Sequence, residues 1–195
     1  MSSSPQLVLA STSPFRKAVL EKLGIPFVTT SPDVDETRLE NETPAELVAR
    51  LSALKAHAVS DSYPDALIIG SDQVACIDDH ILGKPGGFDN AVKQLQQASG
   101  RTVVFYTGLC VLNTMTGMSH TEVETFDVRF RKLTDEQIAN YLHAEEPYNC
   151  AGSFKSEARG IALFESLHGN DPNTLIGLPL IRLVRLLEEE GLRTI

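Results

Sequence analysis

Residues 6–10, QLVLA, form an apolar run short enough for one buried strand, and the pair Ser13-Pro14 follows almost at once. This junction constrains the fold more than any other feature of the chain. Proline has no N–H to lose in the first turn of a helix, its φ suits that turn, and a serine before it caps the free amides. A strand is thus handed directly to a helix, which carries Ala18, Val19 and Leu23 and stops at Gly24. A second strand is expected over 26–30.

The same grammar recurs further along. Thr43-Pro44-Ala45-Glu46 is a capping box, opening a helix on which Leu47, Leu51, Leu54 and Ala58 share a face. The run ALIIG at 66–70 is a strand ending at Ser71-Asp72-Gln73, and Asp78-Asp79 is placed to turn a hairpin from VACI into HILG. A helix is expected over 89–99, ending at Gly100, with β segments over 102–112 and 122–130. A second capping box, Thr134-Asp135-Glu136-Gln137, opens a helix through Leu142. Residues 160–167 read as a strand and 179–190 as an amphipathic closing helix. Strands alternating with helices around a hairpin-like middle predict an α/β chain: a mixed, curved sheet flanked by helices, with two lobes around a central cleft. No repeat or linker divides it, so 1–195 is expected to be a single domain.

Composition narrows the partners. Lys and Arg total 17 against 26 Asp and Glu, a formal charge of −9. A polymeric nucleic acid or an anionic membrane wants a basic field, so neither is expected as the main partner. A small anion held by a few converging cations remains open. The N-terminal stretch has no basic segment and too short an apolar run for a leader, and no stretch approaches membrane-spanning length. Three cysteines without a CxxC pair fit a reduced, cytoplasmic setting. A homodimer is a reasonable default for a small enzyme.

Five groups of residues carry chemistry. Ser11, Ser13 and Arg16 sit where a strand enters a helix, where free amides, hydroxyls and a guanidinium fork suit a phosphate; equally, Ser13 only caps and Arg16 is solvated. Asp33, Asp35 and Glu36 are hard oxygen donors for Mg²⁺ or Mn²⁺, or simply a solvated acidic loop. Asp72 follows an apolar strand, a position that lines ligand crevices in α/β sheets, where it can ligate a metal or take a proton from water. Lys55 borders the buried face of its helix, and Lys84 stands in the rigid turn Gly83-Lys84-Pro85. Small residues at 151–153 beside a polar loop can admit a ligand closely. No histidine spacing marks a metal site, and there is no GxSxG, GxGxxG or Walker A loop.

Taken together, these segments resemble the Maf family of nucleoside triphosphate pyrophosphatases. LASTSPFR at 9–16, DVDE at 33–36, Lys55-Ala56, IIGSDQV at 68–74, LGKP at 82–85, TG at 107–108, V-x-F-R-x-L at 128–133, AGSF at 151–154 and GLPL at 177–180 fall in family order. The resemblance implies a Maf/ITPase-like fold, a divalent cation, Mg or Mn, and cleavage between the α- and β-phosphates. It implies Asp72 as catalytic proton acceptor, Ser11, Arg16, Lys55 and Lys84 as substrate-binding residues, and Glu36 with Asp72 as metal ligands. SDQ at 71–73 and GSFKSE at 152–157 resemble the branch acting on 7-methyl-GTP, with Phe15, Gln73 and Glu157 at the substrate-selecting positions. The branch acting on dTTP and UTP carries an Asp-Thr pair at 72–73 and AGAY-x-IQG near 151, and this chain departs from it. The alternatives are a pyrophosphatase for unmodified dTTP, UTP or GTP, and a nucleotide-binding regulator of septum formation.

Overall fold

A computed structural model describes residues 5–78 and 80–195. Residues 1–4, the start of the stretch read above for a leader, and Asp79, half of the expected 78–79 turn, lie outside the described residues. The strands are β1 (Gln6–Ala10), β2 (Phe27–Thr30), β3 (Ala66–Ile77), β4 (His80–Leu82), β5 (Thr102–Asn113), β6 (Met118–Phe130) and β7 (Phe164–His168). The helices are α1 (Pro14–Glu21), α2 (Pro44–Ala58), α3 (Phe88–Ala98), α4 (Asp135–Glu145), α5 (Pro172–Ile176) and α6 (Leu180–Glu189). The seven strands form one mixed sheet in the order β2-β1-β3-β5-β6-β7, with β4 pairing β3. β1 runs parallel to both β2 and β3, while β3–β4 and β6–β7 are antiparallel. The α/β class read from the sequence is therefore correct.

The chain splits into two compact units. The first comprises residues 1–73, 107–124 and 171–195. Its strands β1, β3 and β5 are buried on both faces there, and their side chains alternate. Leu7, Leu9, Leu67, Ile69, Leu109 and Val111 pack with Val19 and Leu20 of α1 and with Leu183, Leu186 and Leu187 of α6. Val8, Ala10, Ile68, Cys110 and Leu112 point the other way, onto Ala56 of α2 and Val59. Each fully buried Leu or Ile contributes on the order of 1.5–3 kcal/mol, so this two-faced core fixes the register of the parallel strands. The second unit, residues 74–106 and 125–170, is centred on edge-to-face contacts among Phe105, Phe130, Phe154 and Phe164, with ring centroids 4.9–5.4 Å apart.

Both capping boxes form: Thr43 with Glu46, and Thr134 with Gln137. Ser13 caps α1, its side chain accepting from Arg16 N. Three expectations need correction. Leu54 (41 % exposed) and Ala58 are outside the buried face of α2, which runs instead through Leu47, Val48, Leu51, Ser52, Lys55 and Ala56. The reason is backbone contact: a Cβ on Gly70 would lie 2.0 Å from the Ser52 carbonyl oxygen, and one on Gly108 2.1 Å from that of Val48. The helix lies directly on two side-chain-free points of β3 and β5, and its polar Ser52 turns inward. Second, β3 does not end at residue 70 but continues to Ile77. Third, 160–167 is a strand only from Phe164; Arg159–Leu163 is a 3₁₀ turn.

Candidate active site

β1 ends at Ala10, paired with Gly70 of β3. β3 runs on past the end of β1, so Ser71 and Asp72 stand beyond the end of their parallel neighbour. Asp72, read from the sequence as following the strand, is inside it. Because α2 presses its backbone onto Gly70, the next turn of its inward face brings Lys55 to Asp72.

Lys55 is 6 % exposed and Asp72 8 %. Lys55 Nζ donates to Asp72 Oδ1 at 2.6 Å and lies 2.7 Å from Glu36 Oε1. One buried ammonium thus gathers two carboxylates, one from β3 and one from the acidic loop. Glu36 itself is largely exposed. Asp35 turns back instead: its Oδ1 accepts from Thr37 N at 2.9 Å, and hydrogen bonding from the Thr37 side chain, then from this N–H, holds its carboxyl below the ordinary range.

The acidic loop is fastened to α2 by a pair the sequence reading passed over. Arg50 Nε and Nη2 donate to Glu42 at 2.6 and 2.8 Å, Leu39 N donates to the same carboxylate at 3.0 Å, and Arg50 Nη2 reaches Thr37 O at 3.1 Å. The guanidinium pushes the Glu42 carboxyl down to about 2. Glu36 lies on the stretch thereby fixed.

Arg16 projects from the first turn of α1. Loss of solvent pulls its pKa down, and the charges of Asp72 and Glu36 oppose that pull; the guanidinium stays cationic. It therefore belongs to the same electrostatic cluster. Its Nε donates to Gly177 O at 2.9 Å, leaving the terminal nitrogens for a ligand. Ser71 Oγ donates to the same carbonyl at 3.0 Å. Ser11 is buried, and its Oγ accepts from Ser13 N at 3.1 Å, which leaves its own proton to donate. Phe15, next to Arg16, is 37 % exposed rather than packed in the core.

Gln73 is anchored through its nitrogen: Nε2 donates to Thr107 Oγ1 at 2.8 Å and to Thr174 O at 2.7 Å. Both Gly177 and Thr174 belong to the α5 turn. Buried Asp171 caps it, accepting from Asn173 N at 2.8 Å and from Ile181 N at 2.8 Å. The sequence reading missed this turn, yet Asp171-Pro172 with Gly177 five residues on is the same cap–proline–glycine signature seen at Ser13-Pro14 and Gly24.

The first unit holds Ser11, Arg16, Glu36, Lys55, Asp72 and Gln73; of these, Lys55 contacts Asp72 and Glu36, and Arg16 feels the charges of both carboxylates. Lys84 and Glu157 lie in the second unit, both exposed, and their charges act on one thiol, that of Cys150. Among the described residues no group of three or more His, Cys, Asp or Glu is placed to cage a metal. Two carboxylates already sharing one cation nevertheless fit an ion such as Mg²⁺, which usually takes one or two carboxylates, keeps waters and shares substrate phosphates. Among the described residues no helix is long and apolar enough to cross a membrane.

Comparison with known proteins gives the following. A family model described as "Maf-like protein" matches residues 6–190. A protein of Colwellia psychrerythraea named 7-methyl-GTP pyrophosphatase is 60 % identical over 95 % of this chain and 93 % of its own. Proteins of the same name from Nitrosococcus oceani and Pseudoalteromonas translucida are 57 % and 59 % identical, over 96 % and 95 % of this chain and 94 % and 92 % of theirs. The solved structure of the Staphylococcus aureus Ham1 protein matches 64 % of this chain and 71 % of its own at 12 % identity, with a TM-score of 0.46.

Proposed function

This chain belongs to the Maf family, and from that premise we propose that it is a pyrophosphatase that hydrolyses 7-methyl-GTP to the nucleoside monophosphate and pyrophosphate. The observation that carries the reading is the buried ammonium of Lys55, shared by Asp72 and Glu36, whose charges also act on Arg16 in the first turn of α1. A polyphosphate needs positive charge, donors and a carboxylate for water, and phosphoryl transfer is catalysed mainly by positioning and charge neutralisation.

In this reading the phosphates take the terminal nitrogens of Arg16, the Ser11 hydroxyl, the free amides of α1, and the ammoniums of Lys55 and Lys84. Asp72 orients the attacking water and accepts its proton as the anhydride between the α- and β-phosphates opens. Glu36 and Asp72 would hold a divalent cation, which when bound neutralises phosphate oxygens. Until an anion arrives, Lys55 compensates both carboxylates.

Selectivity follows from charge. N7-methylation makes guanine cationic, and the exposed Phe15 ring offers it a π-face. Glu157 accepts from the guanine N1–H and exocyclic amine, strengthened by opposite charge. Gln73, its nitrogen already committed, offers its carbonyl oxygen.

The test is kcat/KM for 7-methyl-GTP, GTP, dTTP and UTP with Mg²⁺ and Mn²⁺, with the products identified. The highest value is expected for 7-methyl-GTP, with pyrophosphate released. Faster turnover of dTTP or UTP would overturn the substrate assignment. Nucleotide binding without pyrophosphate release would point instead to a regulator.

A further inference from the structure

In the second unit, one side chain of α3 reaches two separate loops. Gln94 Nε2 donates to Gly83 O at 2.9 Å, and Gln94 Oε1 accepts from Ser153 Oγ at 2.5 Å. Gly83 precedes Lys84, and Ser153 stands four residues before Glu157. Both ends of one carboxamide are thus committed to the two stretches that carry this unit's proposed substrate residues.

The surroundings need such a tie. Ser153 is fully buried at φ +64, directly after Gly152 at φ +75. A non-glycine residue stays in the left-handed region only when its neighbours hold it there. The Lys84 loop has further fastenings: Asn90 Nδ2 donates to Pro85 O at 3.1 Å, and Gly86 N to Tyr148 O at 3.0 Å. Beyond Ser153, Lys155 N donates to Tyr141 Oη at 3.0 Å, and Lys155 Nζ to Glu145 O at 3.0 Å. Of these contacts, the Gln94 carboxamide joins the 83–85 stretch directly to the 151–153 turn.

We propose that Gln94 is a positioning residue, whose amide sets the Lys84 loop and the turn leading to Glu157 at a fixed separation, so that phosphate affinity and base discrimination are set together. The inference rests on the assignment of Lys84 and Glu157 given above. Glutamine suits the task because it carries a donor and an acceptor on one rigid plane. Glutamate keeps the acceptor and loses the donor; methionine keeps the volume and loses both.

The experiment measures kcat and KM for 7-methyl-GTP and GTP, and the melting temperature, in wild type, Gln94→Met, Gln94→Glu, Ser153→Ala, Lys84→Ala and Glu157→Gln. Gln94→Met is expected to raise KM about 5- to 10-fold for GTP and by about a further 5- to 10-fold for 7-methyl-GTP, lowering the preference by that further factor, as for one lost hydrogen bond on each side. Gln94→Glu raises KM but keeps the preference within about 2-fold, because the Ser153 bond survives. Ser153→Ala, which removes one hydroxyl, lowers the preference alone. A purely structural role would lower kcat through the active fraction and leave KM and preference unmoved, and that result overturns the proposal. So does an unchanged preference in Ser153→Ala. If Lys84→Ala leaves KM unmoved and Glu157→Gln leaves the preference unmoved, the substrate assignment is what fails, and the positioning role falls with it.

Discussion

Lys55 has two partners of different kinds: Asp72 is buried with it, and Glu36 reaches in from solvent. Removing one member of a buried pair leaves an uncompensated charge, which costs more than the pair itself contributes. Lys55→Met is therefore expected to lower both the melting temperature and kcat/KM, the latter by about 100-fold or more for a lost charge in a shielded site. Asp72→Asn, nearly isosteric, should lower kcat by about 100-fold or more while nucleotide still binds. Equal loss of binding and turnover, followed by calorimetry and pyrophosphate release, would contradict the role given to Asp72. The family motifs marked residues 36, 55 and 72, but nothing in their spacing gives a distance. Contacts between residues 17 and more apart become visible only once α2 is laid on the sheet. The carbonyls of Gly177 and Thr174 escaped notice for a plainer reason: a backbone acceptor has no letter in the sequence.

At the scale of elements, the approach of α2 to Gly70 and Gly108 decides the site. Gly70→Ala would place a methyl 2.0 Å from the Ser52 carbonyl oxygen and 2.9 Å from Ala56 N, both backbone. The helix must then withdraw, at about 1–3 kcal/mol or more, carrying Lys55 away from Asp72. A lower denaturant midpoint is expected, together with a fall in kcat larger than the folded fraction explains. The Arg50–Glu42 clamp gives a pH signature. The folded carboxyl titrates near 2 against an ordinary 4.5, so the unfolded chain takes up the proton first. The clamp stabilises above the ordinary value and loses its contribution as pH falls from about 4.5 toward 2. The stability gap between wild type and Glu42→Gln should be constant near neutrality and close across that window; a gap unchanged down to about pH 2 would contradict the clamp. The helices α1, α2 and α4 were legible because their capping signals are local. The inward face of α2 was not: leucine periodicity selects Leu54, whereas the two glycines that admit the helix lie at 70 and 108, far along the chain.

Over the whole molecule, each compact unit draws on separated stretches of chain, three for the first and two for the second. The alternation of strands and helices gave the α/β class, but no composition shift marks where the chain passes from one unit to the other, because β3, β5 and β6 each supply residues to both. The thiols report on packing at this scale. Cys76 and Cys110 are buried, Cys150 is partly so, and burial pushes the Cys110 and Cys150 thiols up. At neutral pH the native protein should react slowly with a thiol reagent, at Cys150 alone, and at all three positions after denaturation. Rapid native labelling of Cys76 or Cys110, read by mass spectrometry, would contradict the packing. Arg16 is aimed by a carbonyl 161 positions away, and the hydroxyl of Ser71 by the same atom across 106. A nascent chain that has emerged as far as position 170 already owns every charged group proposed for the chemistry, yet lacks the turn that points two of its side chains. The proposed site is thus aligned only once residues 171–177 are in place, and a product terminated before them carries the charged groups without their alignment.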